Sequence, residues 1–197
     1  MSIASAARIV DRGIQSLRKS LSEYWPAIGP NDMSERNITA HVAHSFLKAR
    51  WLIYAEPVFP RSSQQRLDMM ALHKSTRTLI AIEGKRLYEG DKATALAKDA
   101  TRIRKFRLVE SNAGFLPIRR FGLLLAFTWS PEMRMWWING DHSICPQGSR
   151  GAGWKVLGRK LDKFGAICRA GLLTNYPEDK VNSKYQKCWA LYALYKL

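Results

Sequence analysis

The sequence predicts an α/β fold: a mixed central sheet flanked by helices, with helical additions at both ends. Three observations carry that prediction. Two apolar runs, Leu67 to Leu72 and Thr78 to Ile82, flank the short polar break Lys74-Ser75-Thr76-Arg77, the pattern of a β-hairpin. Helix-patterned segments lie before the hairpin, from Ser34, and after it, from Asp91 to Arg107. Further on, Phe121 to Trp129 and Met133 to Ile138 are apolar, aromatic-rich runs around Ser130-Pro131-Glu132, and they read as a second hairpin extending the sheet.

Composition bounds the function. The chain has 197 residues, 46% of them hydrophobic and 24% charged, which suits one globular domain with an appendage. Its 32 Lys and Arg against 16 Asp and Glu leave a formal net charge of +16. An excess of that size concentrates polyanions around the protein, so nucleic acid is the favoured partner and an anionic membrane surface the other. Cys145, Cys168 and Cys188 are odd in number and lack CxxC spacing, which argues for reduced thiols over a disulfide framework or a zinc site. No apolar run approaches the ~20 residues that cross a bilayer, and Arg8, Asp11 and Arg12 interrupt any secretory pattern near the start. No transmembrane segment and a cytoplasmic location are therefore expected.

Taken in order, residues 1–33 form an amphipathic helix and a loop. Val10, Ile14, Leu17, Leu21 and Tyr24 recur at helical spacing with Arg8, Arg12, Arg18 and Lys19 elsewhere on the wheel, and Pro26 ends the helix. An outer helix packed on the domain is favoured over a membrane or DNA-contacting arm. Ala27 to Met33, with Gly29, Pro30, Asn31 and Asp32, is a loop. Residues 34–140 form the core. Ser34 is the N-cap of a helix that turns Ile38, Val42, Phe46, Leu47 and Ala49 inward. Glu35 sits in its first turn, where the helix dipole favours an acid whether or not it has a further role. Trp51 to Ala55 is strand-like and leads through Glu56-Pro57 and a polar connection into the hairpin.

If the hairpin is symmetric about its break, Met69 faces Ile82, Ala71 faces Ile80 and Leu72 faces Leu79. The same register sets Asp68 opposite Glu83. Cross-strand neighbours lie about 4.5–5.5 Å apart, where like charges repel. A divalent cation resolves the conflict, because Mg²⁺ takes one or two carboxylates and fills its octahedron with water and phosphate. Strand alternation puts Lys85 on the face of Glu83, so two acids and a lysine converge at one end of the hairpin.

Downstream, the segment from Asp91 to Arg107 has small apolar positions at 93, 95, 96, 97 and 100, with Lys92, Lys98, Arg102, Arg104, Lys105 and Arg107 around them. Residues 141–197 read as a basic, aromatic-rich extension packed on the core. They begin with the loop Asp141-His142-Ser143. The run from Gly148 to Lys155 fails the P-loop pattern, because Trp154 separates the last glycine from the lysine; it reads as a flexible loop contacting nucleic-acid backbone through Arg150 and Lys155. Trp154 to Leu172 reads as a basic helix. The tail from Tyr176 mixes Lys180, Lys184 and Lys187 with Tyr185, Trp189, Tyr192 and Tyr195, a stripe read as core packing in preference to a strand-stacking surface.

Asp68 followed by Glu83-Gly84-Lys85 on a hairpin between two helices resembles the PD-(D/E)XK nuclease superfamily, over Ser34 to Arg107. The Pro of that motif is Leu67 here, and the residue between the acid and the lysine is Gly84. The resemblance implies a restriction-endonuclease-like αβββαβ core and hydrolysis of phosphodiester bonds, in DNA more than RNA. It implies Asp68 and Glu83 as ligands of Mg²⁺, with Mn²⁺ as a substitute, Lys85 beside the attacked phosphate, and Glu35 as the helical acid, with Glu56 its rival. Lys98 or Arg102 would lie near the site and contact nucleic acid. A homodimer is compatible with this picture. The alternatives are a non-catalytic nucleic-acid-binding module of the same fold, or a basic adaptor docking on an acidic protein or membrane surface.

Overall fold

The computed structural model describes residues 2–24, 34–59, 62–106, 108, 116–140, 142, 145–146, 151–175 and 187–197. The hairpin forms as its pattern dictates. Strands β4 (Met69–His73) and β5 (Thr78–Arg86) pair antiparallel with Met69 opposite Ile82, Ala71 opposite Ile80 and Leu72 opposite Leu79. Strand β1 (Leu52–Ala55) pairs antiparallel with β4, and β6 (Arg119–Thr128) runs parallel to β5. The long strands β7 (Ile167–Asn175) and β8 (Lys187–Lys196) complete a six-stranded mixed sheet in the order β1-β4-β5-β6-β8-β7. A two-stranded ribbon, β2 (Val58–Phe59) with β3 (Ser62–Arg66), stands apart within what reads in sequence as a polar connection.

Helices cover both faces of the sheet. Helix α1 (Ile3–Glu23) and helix α2 (Glu35–Lys48) bury Val10, Ile14, Leu17, Ile38, Val42 and Phe46 against Met69, Ile80 and Ile82. The packed alternative for α1 therefore holds, and Tyr192 and Arg169 both donate hydrogen bonds to its Asp11, at 2.7 and 3.1 Å. On the other face, α3 (Gly90–Lys105), α4 (Pro131–Asn139) and α5 (Gly153–Lys163) cover Met70, Leu72, Leu79 and Ala81. Helices α3 and α5 lie parallel and in contact, since Gly90 meets Gly153, Lys160 donates to the Thr101 hydroxyl, and Arg104 stacks over Phe164.

Three sequence expectations are corrected. Met133 to Ile138 is a helix, not the return strand of a second hairpin, because Ser130 caps it by accepting from the Met133 amide at 3.2 Å and Pro131 occupies its first turn. The helix expected from Trp154 to Leu172 stops at Lys163. There Gly165 takes φ 56, its amide donates to the Asp162 carbonyl and the Ala166 amide to the Leu161 carbonyl, both at 3.0 Å, a Schellman ending after which the chain turns into β7. The described residues after 141 are not merely an extension packed on the core. Their strand β8 pairs with β6 along its length, and Tyr192 and Tyr195 are wholly buried there. The loop 27–33, Arg107, Arg150 and most of the tail lysines lie outside the described residues.

Candidate active site

The site forms where β5 outruns its partner. The β4–β5 ladder ends at Met69 and Ile82, and Asp68 turns its carboxylate across the open end, where Oδ2 accepts from the Gly84 amide at 2.7 Å. Met70, Leu72, Leu79 and Ala81 face α3, so Glu83 and Lys85, in step with them along β5, face α3 as well. Helix α3 answers with Asp99 and Arg102. The guanidinium of Arg102 donates to Glu83 Oε1 from Nε at 2.9 Å and Nη2 at 2.7 Å, and its Nη2 lies 3.0 Å from Asp99 Oδ1. Lys85 Nζ stands 3.7 Å from Asp99 Oδ2.

Glu35 enters from the opposite side of the strand. Ser34 caps α2, and the Glu35 carboxylate reaches the end of β5, accepting from the Arg86 amide at 2.8 Å with Arg86 Nε 4.0 Å away. Gly84 permits the approach. A Cβ there would stand 3.0 Å from the Thr39 methyl, tighter than ordinary contact, so a larger residue would crowd α2 where it carries Glu35 to the strand.

Four carboxylates thus share one field, with Lys85, Arg86 and Arg102 among them. Glu83 is 1% exposed. Burial first, and then the charges of Asp68 and Asp99, push its carboxyl up to about 8 against the pull of Arg102. Asp99 is raised too, chiefly by burial, with Lys85 and Arg102 opposing and Asp68 and Glu35 adding. Asp99 was not among the residues singled out from the sequence.

The remaining candidates stand elsewhere. Glu56 is exposed, and its carboxylate pairs with Arg66 at 3.5 Å; its amide donates to the Asp68 carbonyl at 3.1 Å, which steadies the Asp68 backbone. Lys98 is exposed one residue from Asp99, and Lys155 is exposed on α5. Arg102 spends its guanidinium on two carboxylates within the site.

Among the described residues no three His, Cys, Asp or Glu side chains group closely enough to cage a metal ion. The donor chemistry nonetheless suits Mg²⁺, which is held by one or two carboxylates with water and phosphate oxygens completing its shell. Asp68 and Glu83 are carboxylates of that kind, brought to the same end of β5. No family model, curated protein or solved structure matches this chain. None of the described helices is long and apolar enough to cross a membrane.

Proposed function

We propose that this protein is a Mg²⁺-dependent nuclease of the PD-(D/E)XK kind, acting on DNA in preference to RNA. The observation that carries the reading is the convergence of Asp68, Glu83 and Lys85 at one end of β5, beside Glu35. The order of elements supports it. With the β2–β3 ribbon set aside as an insertion, the chain from α2 through β1, β4, β5 and α3 to β6 runs helix, three antiparallel strands, helix, parallel strand, which is similar to the αβββαβ core of restriction-endonuclease-like proteins.

Asp68 and Glu83 would hold the ion, with Glu35 toward its water shell. When bound, Mg²⁺ supplies a water of lowered pKa and polarises the phosphate. The chain's own residues do the rest. Lys85 places an ammonium beside the attacked phosphate, where it stabilises the charge that builds on the transferring oxygens. Asp99 holds that ammonium in place from α3. The Gly84 amide fixes the orientation of the Asp68 carboxylate, and the Arg86 amide does the same for Glu35. Exposed cations on α3 and α5 bind phosphate backbone without reading sequence.

The test is cleavage of plasmid DNA, linear single-stranded DNA and RNA with Mg²⁺ or Mn²⁺, against EDTA controls. Metal-dependent cleavage of DNA is expected from wild type, falling about 10²-fold or more in Asp68→Asn and Lys85→Ala. Binding without cleavage of any substrate by wild type would replace this reading with that of a non-catalytic nucleic-acid-binding module.

A further inference from the structure

We propose that Arg102 is the resident counter-ion of this site: it sits on the carboxylate that a divalent ion needs, Glu83, and passes to Asp99 when the ion binds, so the Glu83–Arg102–Asp99 relay sets metal affinity. The inference rests on Asp68 and Glu83 being metal ligands, as read above.

The contacts of Arg102 are lopsided. Both Nε and Nη2 donate to one oxygen, Glu83 Oε1, at 2.9 and 2.7 Å, whereas an Arg–carboxylate fork at its strongest spans both oxygens. Asp99, one turn back on the same helix, already shares Nη2 at 3.0 Å through Oδ1. Its other oxygen, Oδ2, is buried and finds no hydrogen-bond partner among the described residues. Lys85 faces that oxygen at 3.7 Å, a charge contact longer than a hydrogen bond. Asp99 therefore has unused acceptor capacity within reach of the guanidinium.

Motion is available on one side only. Glu83 is fixed in β5 and 1% exposed, while the Arg102 side chain is 32% exposed at the mouth of the site. A cation arriving at Glu83 repels the guanidinium already there. Shifting onto Asp99 exchanges two bonds to one oxygen for a fork across two, and it gives Oδ2 the hydrogen-bond partner it lacks among the described residues. Without the ion, Arg102 is shared between Glu83 and Asp99; with it, Arg102 leaves Glu83 free and stays beside the phosphate site.

A purely structural arginine and a competing counter-ion predict opposite signs. Mn²⁺ binding is measured by calorimetry on wild type, Arg102→Gln and Asp99→Asn, with circular dichroism and metal-free melting as fold controls. Arg102→Gln is expected to melt lower than wild type without metal, yet to bind Mn²⁺ about tenfold tighter, within the range that residues behind metal ligands usually control. Asp99→Asn, which removes the receiving carboxylate, is expected to bind Mn²⁺ several-fold more weakly. Equal or weaker Mn²⁺ affinity in folded Arg102→Gln overturns the proposal. If that variant does not fold, unchanged affinity in Asp99→Asn overturns it. Wild type that neither binds Mn²⁺ nor cleaves overturns the nuclease reading and this inference together, whereas metal-dependent cleavage by wild type with unaltered affinity in the variants overturns this inference alone.

Discussion

Glu83 is held where ionisation is resisted. The β5 register buries it, Asp68 and Asp99 crowd it, and its carboxyl rises from 4.5 to about 8 despite Arg102. Between those two values the folded chain keeps a proton that the unfolded chain has lost. Stability from this group is therefore complete below about pH 4.5 and declines as pH rises toward 8. The shift of Asp99 has the same sign and adds to the decline. In EDTA the melting temperature of wild type, taken relative to Glu83→Gln, should fall steadily from pH 5 to pH 8.5, because the glutamine cannot ionise. Melting curves of the two proteins across that range measure the difference; a flat or rising difference would mean that Glu83 is ionised throughout.

At the scale of elements, the site depends on how α3 is held, since Asp99 and Arg102 ride on it. The start of α5 presses on the start of α3, and a Cβ at Gly153 would run into the Gly90 carbonyl and the Thr94 hydroxyl and stand 2.8 Å from the Thr94 amide. Most of those atoms are backbone and cannot yield without moving a helix. Gly153→Ala should destabilise by about 1–3 kcal/mol, as overpacking does, read as a lower urea midpoint with unchanged m-value. An unchanged midpoint would show that the helices part freely. The hairpin was legible because two apolar runs flank one polar break and its symmetric register opposes apolar residues, down to Met69 and Ile82 where the ladder ends and Asp68 turns to the Gly84 amide. Helix α4 was not. Met-Arg-Met-Trp-Trp-Ile has no decisive period, and the signal that settles it, Ser130-Pro131-Glu132, is a helix start that passes equally for a turn. The end of α5 is written in Phe164-Gly165, a helix stop embedded in a basic, apolar run that otherwise continues the helical pattern. Asp99 left a fainter trace. It is the acid of α3 beyond the first turn, and on the wheel it adjoins the apolar positions 96, 100 and 103, which marks it as half-inward. Which edge of α3 meets the end of the hairpin is a tertiary fact, and no local pattern contains it.

The +16 charge becomes specific only in the whole molecule, where the α3–α5 layer and the carboxylate site share one face of the sheet. Lys98 and Lys105 on α3 are exposed, as are Lys155, Arg159 and Lys163 on α5, the last three spaced four residues apart along one stripe. They stand apart from the pairs that occupy Lys85 and Arg102. If the stripe binds phosphate backbone, its share of affinity comes from counter-ion release and must appear in the salt dependence. The triple variant Lys155→Ala, Arg159→Ala, Lys163→Ala should lose DNA affinity on every sequence alike. The slope of log K against log salt should also become shallower by about 2–3, roughly 0.9 for each phosphate contact removed. Its Mn²⁺ affinity should match that of wild type, because none of the three touches Asp68, Glu83 or Asp99. A fluorescence titration of duplex DNA at several salt concentrations separates the outcomes. A slope equal to that of wild type would move the nucleic-acid path off α5, leaving Lys98 and Lys105 on α3 as the next cations to remove.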